Sequence, residues 1–102
     1  MKNLLTTLAL CAFMSPAFAA ADDRVTCTTI GDIAQVIMEA RQAGVAPSAI
    51  MEAMEGVPIA PFMIAAAFEV DRWHSEQFQI HEVQDFRADW ETKCYNQLSE
   101  AA

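Results

Sequence analysis

The sequence predicts an all-α protein, a small four-helix domain clamped by one disulfide, after a cleaved N-terminal signal peptide. Three observations lead to this fold class. Apolar residues recur at the helical spacing of three and four, and no segment alternates between apolar and polar residues as a strand does. Two cysteines, Cys27 and Cys94, lie near the two ends of the helical region. A chain of 102 residues has room for one domain only.

Residues 1–19 have the pattern of a secretory signal peptide. Lys2 supplies the positive charge, an apolar run extends from Leu4 to Met14, and Ala17-Phe18-Ala19 forms a cleavage motif. An apolar run of this length is too short to span a bilayer, which takes about 20 residues. We therefore expect an exported protein, periplasmic or secreted, with no stable membrane span in its mature form.

The cleavage motif allows three neighbouring positions. We expect the cut after Ala19, and a cut after Ala20 or Ala21 also fits the motif. Cys11 raises the alternative of a lipoprotein, but Leu10 stands where lipidation needs a small residue. We therefore expect cleavage without lipidation.

The mature domain, residues 20–102, is strongly acidic. The whole chain has 6 Lys and Arg against 14 Asp and Glu, a formal net charge of −8, and the loss of Lys2 makes the mature form more negative. Because phosphate backbones are bound by clustered Lys and Arg, nucleic acid is not an expected partner. With 54% hydrophobic residues, the chain has enough apolar surface to fold rather than stay disordered.

Cleavage leaves two cysteines, Cys27 and Cys94. In an oxidising compartment such a pair is expected to form one intramolecular disulfide; the alternatives are two unpaired buried thiols or a bridge between two chains. Closing a loop of this length stabilises a fold by about 4 kcal/mol in the chain-entropy model. Because so small a domain buries only a modest core, we expect the link to supply a large share of its stability.

Helical periodicity and capping signals place four helices, over about 29–43, 48–55, 60–72 and 75–98. Thr29 is the expected N-cap of the first helix, and Gly44 is expected to end it in the left-handed conformation. The second helix begins either with Ser48 as N-cap or with Pro47 as its first residue. Ser75 is the expected N-cap of the fourth helix.

The third and fourth helices differ in character. The third is apolar nearly all round, which is typical of the buried centre of a bundle. Because Cys27 lies just before the first helix and Cys94 in the last turns of the fourth, a bond between them predicts two neighbouring antiparallel helices. The fourth helix carries one apolar stripe, formed by Ile80, Val83, Phe86, Trp90, Cys94, Tyr95 and Leu98.

The residue types that catalysis needs do not form a recognisable set. Ser48 and Ser75 are better explained as helix caps, no Gly-x-Ser-x-Gly segment occurs, and the disulfide uses both mature cysteines. His81 and Asp85 are four residues apart, which favours a contact on one helix face over a zinc site that lacks further His ligands. We therefore expect no enzyme, no catalytic residue, no metal and no cofactor.

Candidate residues for binding another protein lie in three places. The second helix is too short to bury every side, so Met51 and Met54 favour an adaptable exposed surface, with core filling as the alternative. Trp73, in the link between the third and fourth helices, either anchors an interface or plugs the end of the core. The third place is the end of the first helix, and the polar residues that flank Trp73 are also candidates. The full candidate set is Arg41, Gln42, Met51, Met54, Arg72, Trp73 and His74.

Two segments carry a resemblance to a known group of proteins. The first is Arg41-Gln42-x-Gly44, which follows Cys27, and the second is Phe86-x-x-x-Trp90-x-x-x-Cys94-Tyr95. Through them the chain resembles small exported proteins of phages, prophages and bacteria that share a signal peptide and a Cys pair and have no assigned activity. The resemblance covers the whole mature chain and implies the fold and the export, without adding a catalytic residue. Where that group has Pro in an aromatic-Glu-x-Pro-Arg turn, this chain has Asp71.

The predicted architecture is also similar to that of periplasmic acid-stress chaperones of the HdeA type, which are exported, helical and held by one disulfide. Two functions follow as expectations. The first is a phage-related, non-enzymatic protein-interaction module that binds another envelope or secreted protein, as a monomer or a homodimer. The alternative is a stress-responsive chaperone, because acid neutralises the carboxylates and lowers the repulsion that keeps apolar surfaces apart.

Overall fold

The computed structural model describes residues 24–101, and the regular secondary structure of this part of the chain is entirely α-helical. Helix α1 covers residues 24–42, α2 Pro47–Ala53, α3 Ala60–Ala67 and α4 Glu76–Ala101. The predicted all-α fold of four helices is confirmed, and so is the disulfide between Cys27 and Cys94. None of the helices in this part of the chain combines the length and apolarity needed to cross a membrane. The expected signal peptide, residues 1–19, lies outside the described residues.

Helix α1 begins earlier than predicted. It is helical from the first described residue, so Thr29 lies inside the helix with an exposed side chain, and its prediction as N-cap is wrong. Residues 25–28 contain neither Pro nor Gly, so nothing in them stops a helix. The buried side of α1 therefore starts before the predicted N-cap. Its residues recur at spacings of three and four and are Cys27, Gly31, Ala34, Ile37, Met38 and Gln42.

A glycine and a proline set the boundary between α1 and α2. Gly44 has a φ of 85°, the left-handed conformation predicted for the end of α1. Helix α2 begins at Pro47 with Ala46 in the N-cap position, so the Pro47 alternative is confirmed and Ser48 is not an N-cap. In the turn after α2, Gly56 also takes a left-handed φ, of 87°.

Helix α3 is both shorter and more exposed than predicted. It ends at Ala67 instead of residue 72, because the chain then turns the carbonyl groups of Val70 and Asp71 toward side chains at the end of α1. Phe62 on its outer side is 69% exposed, so the expectation of a helix buried all round is wrong. A domain this small has too little chain to cover both sides of the helix. The inner side of α3 is buried through Ala60, Met63, Ile64 and Ala67.

Helices α1 and α4 lie side by side in opposite directions. The disulfide joins the first turns of α1 to the later turns of α4. Further along α1, Asp32 pairs with Arg87 at 2.6 Å. At the end of α1, Gln42 accepts a hydrogen bond from the backbone N–H of Trp73, just before α4, at 2.8 Å. Because residue numbers rise along α1 as they fall along α4, the predicted antiparallel pair is confirmed.

All four helices contribute to one apolar core. Helix α4 has 26 residues, a length of about 39 Å, and is the longest of the four helices in the described part of the chain. Ile80 and Tyr95, both expected in the buried stripe of α4, are 50% and 44% exposed, so the stripe is covered only in part. Ser75 directly precedes α4, as predicted, and its carbonyl accepts the N–H of Gln79 at 3.0 Å. The buried core consists of Ala34, Ile37, Met38, Ile50, Ala60, Met63, Ile64, Ala67 and Phe86.

Candidate functional site

A hydrogen-bond network joins the end of α1 to residues 68–75, the link between α3 and α4 that we call the corner. Gln42 lies at its centre and is only 3% exposed. Its Nε2 donates to the backbone oxygen of Asp71 at 2.9 Å, and its Oε1 accepts the backbone N–H of Trp73 at 2.8 Å. One amide side chain therefore fixes the path of the corner relative to α1.

Two arginines complete the network. Arg41 donates from Nε and Nη2 to the carbonyl of Val70, at 3.3 and 3.1 Å, and its guanidinium carbon lies 4.6 Å from the centre of the Phe68 ring. Arg72 donates from Nε to the carbonyl of Gln42 at 3.1 Å. That carbonyl belongs to the last turn of α1, where carbonyl groups lack partners within the helix. Arg72 therefore supplies a hydrogen-bond donor to the C-terminal end of α1. Its positive charge also interacts favourably with the negative end of the helix dipole.

The Trp73 ring is exposed and held in place. Its Nε1 donates to Glu82 Oε1 at 3.2 Å, and its ring centroid lies 5.4 Å from that of Phe78. The backbone oxygen of Trp73 accepts a hydrogen bond from Gln79 Nε2 at 2.6 Å. Of the two positions considered for Trp73, the exposed one is observed, at 37% exposure. The indole packs on the first turns of α4 instead of filling the end of the core.

Two grooves adjoin the first half of α4. A groove of about 460 Å³ runs between α1 and α4, and we call it the α1–α4 groove. A second groove, of about 380 Å³, is lined by α4 alone and includes Phe78, and Ile80 lines both grooves. Gln84 also lines both grooves, and Phe78 in the second groove is 56% exposed. The polar lining of the α1–α4 groove consists of Gln35, Glu39, Gln42, Glu76, Gln79, Gln84 and Arg87.

Arg87 is the cation in the lining of the α1–α4 groove, and acidic groups surround it. Its Nη1 lies 2.6 Å from Asp32 Oδ1, and its Nε lies 3.1 Å from Glu91 Oε1. Nη1 also donates to Gln35 Oε1 at 2.6 Å. The hydrogen bond with Asp32 raises the pKa of Arg87 above its ordinary value, while desolvation partly opposes the rise. Arg87 is therefore charged at any ordinary pH, and its charge is used within the protein.

The two histidines lie apart on the surface. His81 Nε2 is 3.1 Å from Asp85 Oδ2, which confirms the predicted contact on one face of α4, and both side chains are more than 60% exposed. His74 is exposed in the corner. Within residues 24–101, no group of three or more His, Cys, Asp or Glu side chains is arranged to hold a metal ion.

The structure separates the predicted binding residues that belong to the network at the corner from Met51 and Met54, which lie on α2 and just after it. Gln42 is buried with both ends of its amide paired, so it supports the corner and does not face solvent. Met51 is 43% exposed on α2, whereas Met54 is partly buried against the core, and neither belongs to the network. Whether any of these residues meets a partner stays a prediction. The network itself unites Arg41, Gln42, Arg72 and Trp73.

The exposure of Ile80 differs from the prediction, and Phe78 is not among the predicted binding residues. The periodicity of α4 assigned Ile80 to the buried stripe, and Phe78 lies off that stripe between Gln77 and Gln79. An aromatic residue in an otherwise polar helical turn, close to Trp73 in sequence, is the signal that identifies this surface.

Comparisons of the chain with protein-family models, curated protein sequences and solved structures found no match. The corner and the two grooves are therefore assigned a function from their own contacts, exposure and charge.

Proposed function

We propose that this chain is a small exported, periplasmic protein that acts by binding another envelope or secreted protein, without catalysis. The observation that carries the proposal is the exposed aromatic pair of Trp73 and Phe78, held at the surface by a buried network. Trp is strongly enriched among the residues that dominate the energy of protein interfaces.

The rigidity of the corner supports this proposal. The backbone on both sides of Trp73 is tied to other elements, through Gln42 on one side and Gln79 on the other. The indole itself is oriented by Glu82 and by the ring of Phe78. A side chain that is already ordered loses little entropy when a partner covers it, so such residues bind more tightly than mobile ones.

The covalent link supports export. A bond between Cys27 and Cys94 forms and persists in oxidising compartments and is rare where thiols are kept reduced. It is therefore compatible with the expected periplasmic location, which cell fractionation and the intact mass of the purified protein will test. A mass that includes residues 1–19 would contradict cleavage, and a protein retained in the cytoplasm would contradict export.

Affinity capture tests the binding role. The disulfide-bonded protein is immobilised and exposed to periplasmic extract of its own cell, alongside the variant Trp73→Ala with Phe78→Ala. The matched control is Phe62→Ala, which removes a more exposed aromatic from α3, outside both grooves. We expect one specific partner to be captured by the wild type and by the control and lost by the double variant.

Equal capture by all three proteins would contradict a role for the aromatic pair. Circular dichroism is recorded for each variant, so that loss of capture is interpreted only where the helices are intact. Capture of nothing by the wild type, across extracts from several growth conditions, would contradict the interaction role itself.

A second candidate function is an acid-responsive chaperone, and the contacts of Arg87 favour it. Arg87 on α4 holds α1 through the carboxylate of Asp32, so the ionic contact between the two helices depends on one carboxylate, a kind of group that strong acid neutralises. The disulfide would keep the two helices linked while their ionic contact opened. Suppression of the aggregation of an acid-labile enzyme at about pH 3, and not at neutral pH, would establish this function. A compact and inactive protein at that pH would eliminate it.

A further inference from the structure

The α1–α4 groove combines an apolar lining with negative charge. Ile80, half exposed, and Val83 provide apolar surface from α4. Glu39 lines the groove from α1 and Glu76 from α4. Across residues 24–101, no Lys or Arg lies within ion-pairing distance of either carboxylate. A surface of this composition favours an occupant that is both apolar and positively charged.

Within residues 24–101, the cations near the groove do not neutralise this charge. Arg87 lines the groove, but Asp32 and Glu91 already hold it. Arg41 and Arg72 donate to backbone carbonyl groups in the network at the corner. The positive charges near the groove therefore serve the fold. Glu39 accepts a hydrogen bond from the neutral amide of Gln35 at 2.9 Å, and the negative charges of Glu39 and Glu76 have no cation of residues 24–101 beside them.

The walls of the groove restrict the form of the occupant. Both walls are helices, whose backbone groups are paired internally, so an extended chain would find no strand edge to pair with. A helix satisfies its own backbone hydrogen bonds and needs only side-chain contacts. The lining residues of α4 run from Glu76 to Arg87, a length of about 17 Å, which corresponds to about three helical turns.

We propose that the α1–α4 groove binds a cationic amphipathic helix of the partner protein, with an apolar stripe flanked by Lys or Arg. Its apolar side chains pack on Ile80 and Val83, and its basic side chains reach Glu39 and Glu76. This assignment rests on the proposed interaction function and specifies the chemistry of the partner. A second copy of this chain fits less well, because its formal charge of −8 would bring like charges together at the interface.

Synthetic peptides test the proposal directly. The probe is a helix-forming peptide of Leu and Lys, about 18 residues long and hence about five turns, with a Leu and Glu peptide of the same pattern as its counterpart. Binding to the disulfide-bonded protein is measured by isothermal titration calorimetry at low and high salt. We expect the Leu and Lys peptide to bind, with an affinity that falls as salt increases, and the Leu and Glu peptide not to bind.

Matched variants locate the binding. Removing two groove charges with Glu39→Gln and Glu76→Gln is expected to weaken binding about fivefold. The control pair Glu52→Gln and Glu55→Gln changes the net charge equally on exposed residues outside the groove, and is expected to leave binding unchanged. These two double variants distinguish a specific groove from general attraction to an acidic protein.

A second pair of variants tests the apolar contact. Ile80→Ser is expected to weaken binding about tenfold, as the loss of one buried aliphatic side chain would. Phe62→Ser removes an exposed aromatic from α3 and is expected to leave binding unchanged. Because both residues are at least half exposed, neither substitution opens the core.

Several results would overturn the groove assignment: absence of peptide binding, equal binding of the Glu peptide, or equal losses in the groove and control variants. A concentration-dependent dimer that Ile80→Ser abolishes would assign the groove to self-association instead. If the aromatic pair still captures a partner while the Lys peptide fails to bind, the groove assignment falls and the interaction function stands.

Discussion

A single buried amide decides the position of the corner. Gln42 pairs with both a carbonyl and an N–H of the same short segment, at Asp71 and Trp73. Buried polar groups are costly unless they are paired, so the side chain and the two backbone groups depend on each other. This dependence explains why a polar residue lies in line with the apolar positions of α1.

Replacement of Gln42 by Ala should be strongly destabilising. It removes two part-buried hydrogen bonds, to the N–H of Trp73 and to the carbonyl of Asp71, at a cost of about 2–3 kcal/mol. The control Gln77→Ala removes an exposed amide from α4 and should change stability by less than about 0.5 kcal/mol. Urea unfolding followed by circular dichroism measures both, and similar values for the two variants would contradict the role given to Gln42.

Substitution by Ala should lower the stability of the protein by different amounts at two glycines that share the same backbone conformation. Gly44 and Gly56 have φ of 85° and 87°, which strains any L-residue. A Cβ on Gly44 would also meet the guanidinium of Arg72, whereas a Cβ on Gly56 would meet open space. We expect thermal unfolding to show a loss of about 1 kcal/mol for Gly56→Ala and about 2 kcal/mol for Gly44→Ala. In an Arg72→Ala background, the added cost of Gly44→Ala should fall close to that of Gly56→Ala; equal losses in the single variants would contradict the contact.

At the scale of elements, α1 and α4 are held together at three levels. The disulfide joins one end, Arg87 the middle and the network around Gln42 the other end. Between these contacts, Phe86 packs into the core that α2 and α3 complete. Gly31 lies so close to Glu91 that any added Cβ would displace that side chain, which shows how tightly the pair is packed.

The ionic link at Arg87 should stabilise the helix pair by an amount that does not change near neutral pH. Its raised pKa means that the stabilisation is fully present below the ordinary arginine pKa and is lost only as pH rises through the higher folded value. We therefore expect Arg87→Ala to lower Tm by the same amount across about pH 6–9. The control Lys93→Ala, which breaks an ion pair within α4 only, should lower Tm less. A difference between wild type and Arg87→Ala that varies across this range would contradict the assignment.

Periodicity predicted the elements well and their boundaries poorly. The number and order of helices and the antiparallel pairing follow from local spacing and from two cysteines. The end of α3 at Ala67 was missed because side chains far away in sequence, Arg41 and Gln42, draw the backbone out of the helix. The start of α1 was missed because Thr29 can cap a helix, and only tertiary structure shows that the helix continues past it.

The candidate site was predicted only in part, for a related reason. Arg41, Gln42, Arg72 and Trp73 were identified from their position at breaks between helices, where polar and aromatic residues often function. Their mutual contacts depend on long-range packing, which local spacing does not encode. Exposure of Ile80 was missed because helical spacing places it in one stripe with Val83 and Phe86, whereas the groove between α1 and α4 leaves it open to solvent.

At the scale of the whole molecule, the disulfide closes nearly the entire described chain. Cys27 and Cys94 are separated by 67 residues. Closing a loop of this length stabilises the folded state by about 4 kcal/mol in the chain-entropy model. The free energy of unfolding of a small domain is about 5–15 kcal/mol, so this one bond accounts for a large part of it.

Reduction should therefore unfold the protein or bring it close to unfolding at physiological temperature. We expect the variant with Cys27→Ser and Cys94→Ser to lose about 4 kcal/mol in urea unfolding, compared with the oxidised wild type. The reduced wild type should match the variant, which separates loss of the bond from the effect of the serines. A loss below about 1 kcal/mol would show that the core alone holds the fold.

The central claim is that the surface around Trp73 and Phe78 meets another protein, and crosslinking in the living cell tests it most directly. A photoreactive phenylalanine analogue is placed at Phe78 and, in a separate strain, at Phe62, the more exposed control. After illumination, we expect a discrete crosslinked species from position 78 and none from position 62. Crosslinks of equal yield from both positions, or from position 62 alone, would contradict the account.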